Sequence, residues 1–188
     1  MATQPQTTYT YDDLQDFPED NLRRELIGGE LIVTAAPATR HQQVSLRLAA
    51  TLLRYAETRG GEALNAPFDV YFSATDVVEP DVLFVRAENL ARLEDRFLRG
   101  APDVVVEISS PSTRKLELKQ KLDLYERYGV PEYWYVDLEA DRIEIYRLAE
   151  GVYGRPELLG RGDTLRSVLL PGFVAEVDYV LGDPDDEP

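Results

Sequence analysis

Residues 102–112 read PDVVVEISSPS. Val104-Val105-Val106 and Ile108 form a short continuous apolar run, the pattern of a strand buried on both faces at the centre of a sheet. Glu107 interrupts that run with an ionisable group, which calls for a partner or a chemical role. The stretch therefore predicts a central strand and, at its end, a candidate site.

Working outward, residues 66–85, APFDVYFSATDVVEPDVLFV, hold two Val- and Phe-rich stretches across a polar SATD turn and read as two strands. Pro80-Asp81 stands just inside the second. Asp81 precedes Val82-Leu83-Phe84-Val85, where a buried carboxylate must find a partner. Further upstream, RRELIGGELIVT (23–34) places β-favouring stretches either side of Gly28-Gly29, the signature of a hairpin. Between them, Val44, Leu48, Leu52, Tyr55 and Ala56 recur at steps of three and four until Gly60-Gly61, which predicts an amphipathic helix over 39–59. Thr10 and Asp13 form a capping pair for a short helix from Tyr11 to near Pro18.

Downstream, Ser112 or Thr113 can cap a helix running to Tyr128 and closed by Gly129. EYWYVDL (132–138) and RIEIYRL (142–148) read as a hairpin across EADR, with Trp134 on one face and Tyr133 and Tyr135 on the other. These aromatics read as core packing and not as a base-stacking platform. The expected fold class is α/β (α+β): a mixed central sheet flanked by helices, with an N-terminal β-hairpin and additional C-terminal strands. No linker or repeat divides the chain, so one domain over 1–188 is expected, with flexible tails at 1–9 and 182–188.

Composition narrows the chemistry. With no cysteine in 188 residues, thiolate metal sites and cysteine nucleophiles are excluded, and any metal must be held by oxygen or by the single histidine, His41. SSPS at 109–112 lacks a nucleophile elbow, so a serine hydrolase is rejected. No apolar run approaches the roughly 20 residues of a membrane span, and MATQPQTTYT lacks a secretory signal, so a cytoplasmic protein without a membrane partner is expected. A formal charge of −15 stands against nonspecific nucleic-acid binding. Arg23, Arg24, Arg40, Arg47, Arg54, Arg114 and Lys115 are the candidates for a basic lining.

On the helix after the central strand, Leu118, Leu122 and Tyr125 form a stripe with Lys121 at its flank, beside Arg114, Glu117 and Tyr128. Spacing alone reads Lys121 as a solvated residue that is still able to reach inward. His41 opens the long helix, where a lone histidine usually makes a local hydrogen bond but can also serve as ligand, general base or phosphate contact.

The stretch PDVVVEISSPSTRKLELKQKLDLYERYGVPEYWYVD (102–137), together with ELIGGEL and EPDVLFV upstream, resembles the Uma-two family of restriction-endonuclease-like proteins, over roughly residues 10–180. The resemblance to this branch of the PD-(D/E)XK superfamily implies a divalent cation, Mg²⁺ or Mn²⁺, held by Asp81, Glu107 and the main-chain carbonyl of Ile108. Lys121 would assist the attacking water. The superfamily pattern puts that lysine two residues after the Glu, but Ser109 stands there, so the role passes to Lys121. Glu117 stands where the family often has Asp. The superfamily also implies an acidic residue early in the chain, for which Glu30 is chosen over Glu25.

The residue types suit hydrolysis of a phosphodiester. A hard cation offsets the charge of the reacting centre, two carboxylates hold it, and an ammonium offsets their mutual repulsion. The expectation is an endonuclease acting on DNA as a homodimer, since cutting two strands is simplest with two related sites. Two alternatives stand beside it: a non-catalytic binding or regulatory protein retaining the fold, and a metal-dependent phosphodiesterase acting on a small substrate.

Overall fold

In the computed structural model, which describes residues 7–18, 20, 22–109 and 116–183, the chain opens with helix α1 (Tyr11–Gln15). Thr10 donates to Asp13 Oδ2 from both its N–H and its hydroxyl, at 2.7 Å each, which forms the expected cap. The helix stops before Phe17, because a residue preceding proline is disfavoured in helical conformation. Strands β1 (Arg23–Ile27) and β2 (Glu30–Thr34) pair antiparallel around Gly28 and Gly29. Both glycines have positive φ, 59° and 77°, as a two-residue hairpin turn requires. Helix α2 (Thr39–Arg59) buries Val44, Leu48, Leu52 and Ala56, on the expected face.

Strand β3 (Glu62–Asn65) follows. Residues 66–85, read as two strands, hold three: β4 (Asp69–Ser73), β5 (Asp76–Val78) and β6 (Val82–Val85). The apolar stretch 76–85 breaks at Glu79-Pro80, where proline has no N–H to donate to a ladder and the chain crosses from one sheet to another. Asp81 thus sits one residue before β6 and not within it. A 3₁₀ turn (Ala87–Arg92) leads to β7 (Phe97–Arg99) and then β8 (Val104–Ile108). The next helix begins as a π-helical stretch, Leu116–Lys121, and continues as α3 (Leu122–Arg127). Ser112 and Thr113, expected to cap it, lie outside the described residues.

The expected hairpin follows as β9 (Glu132–Asp137) and β10 (Arg142–Ala149), paired from Asp137↔Arg142 to Glu132↔Arg147. The C-terminal part adds β11 (Val152–Tyr153), β12 (Glu157–Leu159), β13 (Thr164–Arg166), β14 (Val174–Glu176) and helix α4 (Val177–Leu181).

The central sheet is mixed, in the order β11-β10-β9-β8-β6-β3, with β12 also on β10. At its middle, β8 runs parallel to β9 and antiparallel to β6, and all five of its residues are buried. Period-two alternation divides the side chains between two cores. Val104, Val106, Ile108 and Trp134 face α2 and α4. Val105, Tyr133 and Tyr135 face α3 and a second sheet, β2-β1-β5-β4-β7. The expected N-terminal hairpin is present and forms the edge of that second sheet. Each fully buried Val or Leu in these cores contributes roughly 1.5–3 kcal/mol relative to exposure. No described helix is long and apolar enough to cross a membrane.

Candidate active site

Because Val104, Val106 and Ile108 point toward α2, alternation sends Glu107 to the other side, toward α3. Its carboxyl is completely buried and its Oε1 accepts from Lys121 Nζ at 2.9 Å and from the Tyr125 hydroxyl at 2.5 Å. Its Oε2, also buried, has no hydrogen-bond partner among the described residues. Burial, and next to it the charges of Asp81 and Glu25, push this carboxyl up to about 7 against the opposing influence of Lys121.

Lys121 is 1% exposed. The buried face of its helix runs through Lys121, Leu124 and Tyr125, with Leu118 and Leu122 half-buried at its margin, so the face is centred on the lysine and not on the leucines. Burial alone would lower the lysine's pKa, but Glu107 and Glu25 raise it, so the ammonium keeps its charge. Its second partner is Glu25 Oε1 at 2.7 Å, which also accepts the N–H of Glu79 at 2.8 Å.

The register Val82↔Val106 of the β6–β8 ladder, extended by one step, brings Asp81 opposite Glu107. The two residues thus stand opposite one another at one end of the central sheet. Asp81 Oδ2 accepts the Ile108 N–H at 2.8 Å and lies 3.1 Å from His41 Nε2, while Oδ1 accepts from Arg23 Nη2 at 2.7 Å. Burial would raise this carboxyl, but the hydrogen bond to His41 and the Arg23 guanidinium hold it at about 2. Glu107 therefore commits only Oε1 to the described residues, whereas both oxygens of Asp81 are engaged, Oδ2 by Ile108 and His41 and Oδ1 by Arg23.

Asp81, Glu107, Lys121, His41 and the end of β8 at Ile108 are brought together. Glu30 is not: it is exposed beside the hairpin turn, opposite Ile27, and the buried hairpin carboxylate is Glu25. Arg23 and Glu25 are two apart on β1 and so share one face, a period-two signal that could have singled them out. Tyr125, read as part of an apolar stripe, lies one helical turn beyond Lys121 and bonds the same carboxylate. The side chain of Glu117, with Arg114 and Lys115, lies outside the described residues.

A cleft of about 680 Å³ opens beside this group, lined by Arg23, Arg24 and Arg96 and by Asp20, Asp69 and Glu79. Burial first, then neighbouring carboxylates, raises Asp69 to about 6 and Glu79 to about 7. Of the other cations expected as a basic lining, Arg40 is engaged away from the cleft, by Leu138 O and Asp141.

Among the described residues no three of His, Asp and Glu are grouped so as to hold a metal ion by themselves. Two carboxylates are nevertheless the complement that Mg²⁺ commonly takes from a protein while keeping several waters. The buried Glu107 Oε2, without a hydrogen-bond partner among the described residues, is the atom such an ion would satisfy. The residues fit a partly hydrated hard cation and not an all-protein cage.

The architecture matches a crystal structure described as a putative nuclease belonging to DUF820 from Anabaena variabilis, with a TM-score of 0.77 and 17% identity over 92% of this chain and 97% of that one. The fold is thus restriction-endonuclease-like. Within that class, the family model Uma2, described as "Putative restriction endonuclease", matches residues 10–178, and the chain belongs to this family. No curated protein matches the chain.

Proposed function

We propose that the chain is an endonuclease that hydrolyses phosphodiester bonds in DNA with Mg²⁺ or Mn²⁺. The observation that supports this best is the buried group of Asp81, Glu107 and Lys121 at the end of the central sheet, in which Glu107 Oε2 has no hydrogen-bond partner among the described residues. Asp81 and Glu107 would hold the cation, with the carbonyl of Ile108 at the same strand end. Bound there, it would offset charge on the phosphate and acidify the attacking water.

The protein's own groups do the rest. His41 and the Ile108 N–H orient Asp81, and Tyr125 and Lys121 orient Glu107. The Lys121 ammonium, excluded from water, supplies fixed positive charge where the pentavalent phosphorus centre becomes more anionic, or holds the water in line. Glu25 keeps that ammonium in place.

Purified protein should cleave duplex DNA in Mg²⁺ or Mn²⁺ and stop on chelation, and Lys121→Ala should remove the activity. A charge of −15 favours a second reading, a phosphodiesterase for a small diester, whose approach an acidic surface hinders less. Hydrolysis of bis(p-nitrophenyl) phosphate with intact DNA would select it.

A further inference from the structure

The group at the sheet end holds three carboxylates, Glu25, Asp81 and Glu107, and two permanent cations, Arg23 and Lys121. The two cations differ in placement. Lys121 is enclosed, its side chain 2% exposed, whereas that of Arg23 is 20% exposed and lines the cleft. Arg23 holds Oδ1 of Asp81, while Oδ2 is taken by Ile108 and His41.

We infer that Arg23 is a substrate-binding residue held in reserve, which occupies Asp81 Oδ1 until a dication takes that oxygen and then turns to the phosphodiester. This rests on the metal-dependent reading above. A guanidinium cannot relieve the conflict by losing its proton, so it must move when a dication arrives at the same oxygen. Charge balance points the same way. Counted over these five side chains alone, with all three carboxylates ionised, the charge is one negative in excess without the dication and one positive in excess with it, and the single negative charge of a phosphodiester restores neutrality. A guanidinium also matches two phosphate oxygens at once. Glu79 Oε2, 4.0 Å from Arg23 Nε on the cleft wall, offers the side chain a second carboxylate on its way outward.

The test separates a reserve role from a merely structural one, because the two move metal affinity in opposite directions. Mn²⁺ titrated calorimetrically without nucleic acid should bind Arg23→Ala about tenfold more tightly than wild type, the scale of one charge-assisted hydrogen bond removed from competition. A residue that only braced Asp81 would give weaker Mn²⁺ binding on removal. Anisotropy of a fluorescein-labelled duplex in Ca²⁺ should show Arg23→Ala binding more weakly than wild type and Arg23→Lys recovering part of the loss. Should Arg23→Ala fail to fold, Arg23→Gln, which keeps a donor for Asp81 without charge, is read in the same way. Unchanged or weaker Mn²⁺ binding by the variant overturns the inference alone. Wild type that binds no Mn²⁺ overturns the metal-dependent reading and the inference with it.

Discussion

Replacing Lys121 by Met keeps the aliphatic stem in its buried place and removes only the ammonium. Glu25 and Glu107 would then share a dry site without the cation that faces both, at 2.7 and 2.9 Å. Breaking a buried ion pair from one side costs about 3–5 kcal/mol. For a chain of this length that lowers Tm by about 6–20 °C. The loss should depend on pH. Glu107 is pushed up to about 7 by burial with Lys121 as the largest opposing influence, so without the lysine its carboxyl rises further. The gap between variant and wild type should therefore be widest well above pH 7 and close as pH falls to about 7, where protonated carboxyls no longer need the ammonium. Mn²⁺ should also narrow it, by returning positive charge to the same carboxylates. The assay is a thermal melt followed by circular dichroism at several pH values, with and without Mn²⁺, beside a cleavage assay in which turnover falls about 10² or more. A Lys121→Met variant that melts with wild type at about pH 9, where the gap should be widest, would refute the reasoning, because the lysine would then be a surface residue. Lys121→Arg should also be impaired, since a planar fork does not replace a compact ammonium between two carboxylates.

Asp81→Ala and Glu107→Ala should each weaken Mn²⁺ binding measured by calorimetry, and unchanged affinity in both would remove them as ligands. Tyr125→Phe deletes the 2.5 Å hydrogen bond to Glu107 Oε1 and should destabilise by about 1–3 kcal/mol in denaturant titration; a neutral effect would show that the phenol contributes only packing. The Glu79 carboxyl, raised from 4.5 to about 7 by burial and then by Asp69 and Glu25, holds its proton more tightly folded than unfolded. Its contribution is present below about pH 4.5 and lost as pH rises through about 7, on the order of 2–3 kcal/mol. Glu79→Gln should thus flatten the fall of Tm between about pH 5 and 8, and a parallel fall in both proteins would contradict this. A homodimer is proposed for cutting both strands, and light scattering at micromolar concentration should give the mass of two chains, with a monomer counting against it.

Local pattern alone carried much of this molecule. The run at 104–108 announced a strand buried on both faces, and it lies between β6 and β9 at the centre of the sheet. The 3.6-residue period from Val44 to Ala56 and the diglycine at 28–29 marked α2 and the hairpin, because the stripe and the turn are properties of neighbouring residues. Glu107 was legible for the same reason, as a charge interrupting an apolar run. Asp81 is legible less sharply, because the strand that the pattern draws around it begins one residue later. Pro80 was read inside a strand, whereas its missing N–H marks the crossing between sheets.

The company these residues keep was decided elsewhere. Glu25 and Glu30 are equivalent in sequence, flanking one turn, and only the packing of the hairpin into the second sheet buries the first and exposes the second. Lys121 by spacing lay at the edge of a leucine stripe; two carboxylates from β1 and β8 made its face the buried one. Arg23 reaches Asp81 across 58 residues, and Asp81 reaches the Ile108 N–H across 27. Sequence thus determined which residues carry charge into apolar segments, because that is a matter of composition and period. Tertiary structure alone decided which charges meet, because a buried carboxylate takes its partner from whatever element packs against it, and that element is fixed by the apposition of sheets distant in the chain.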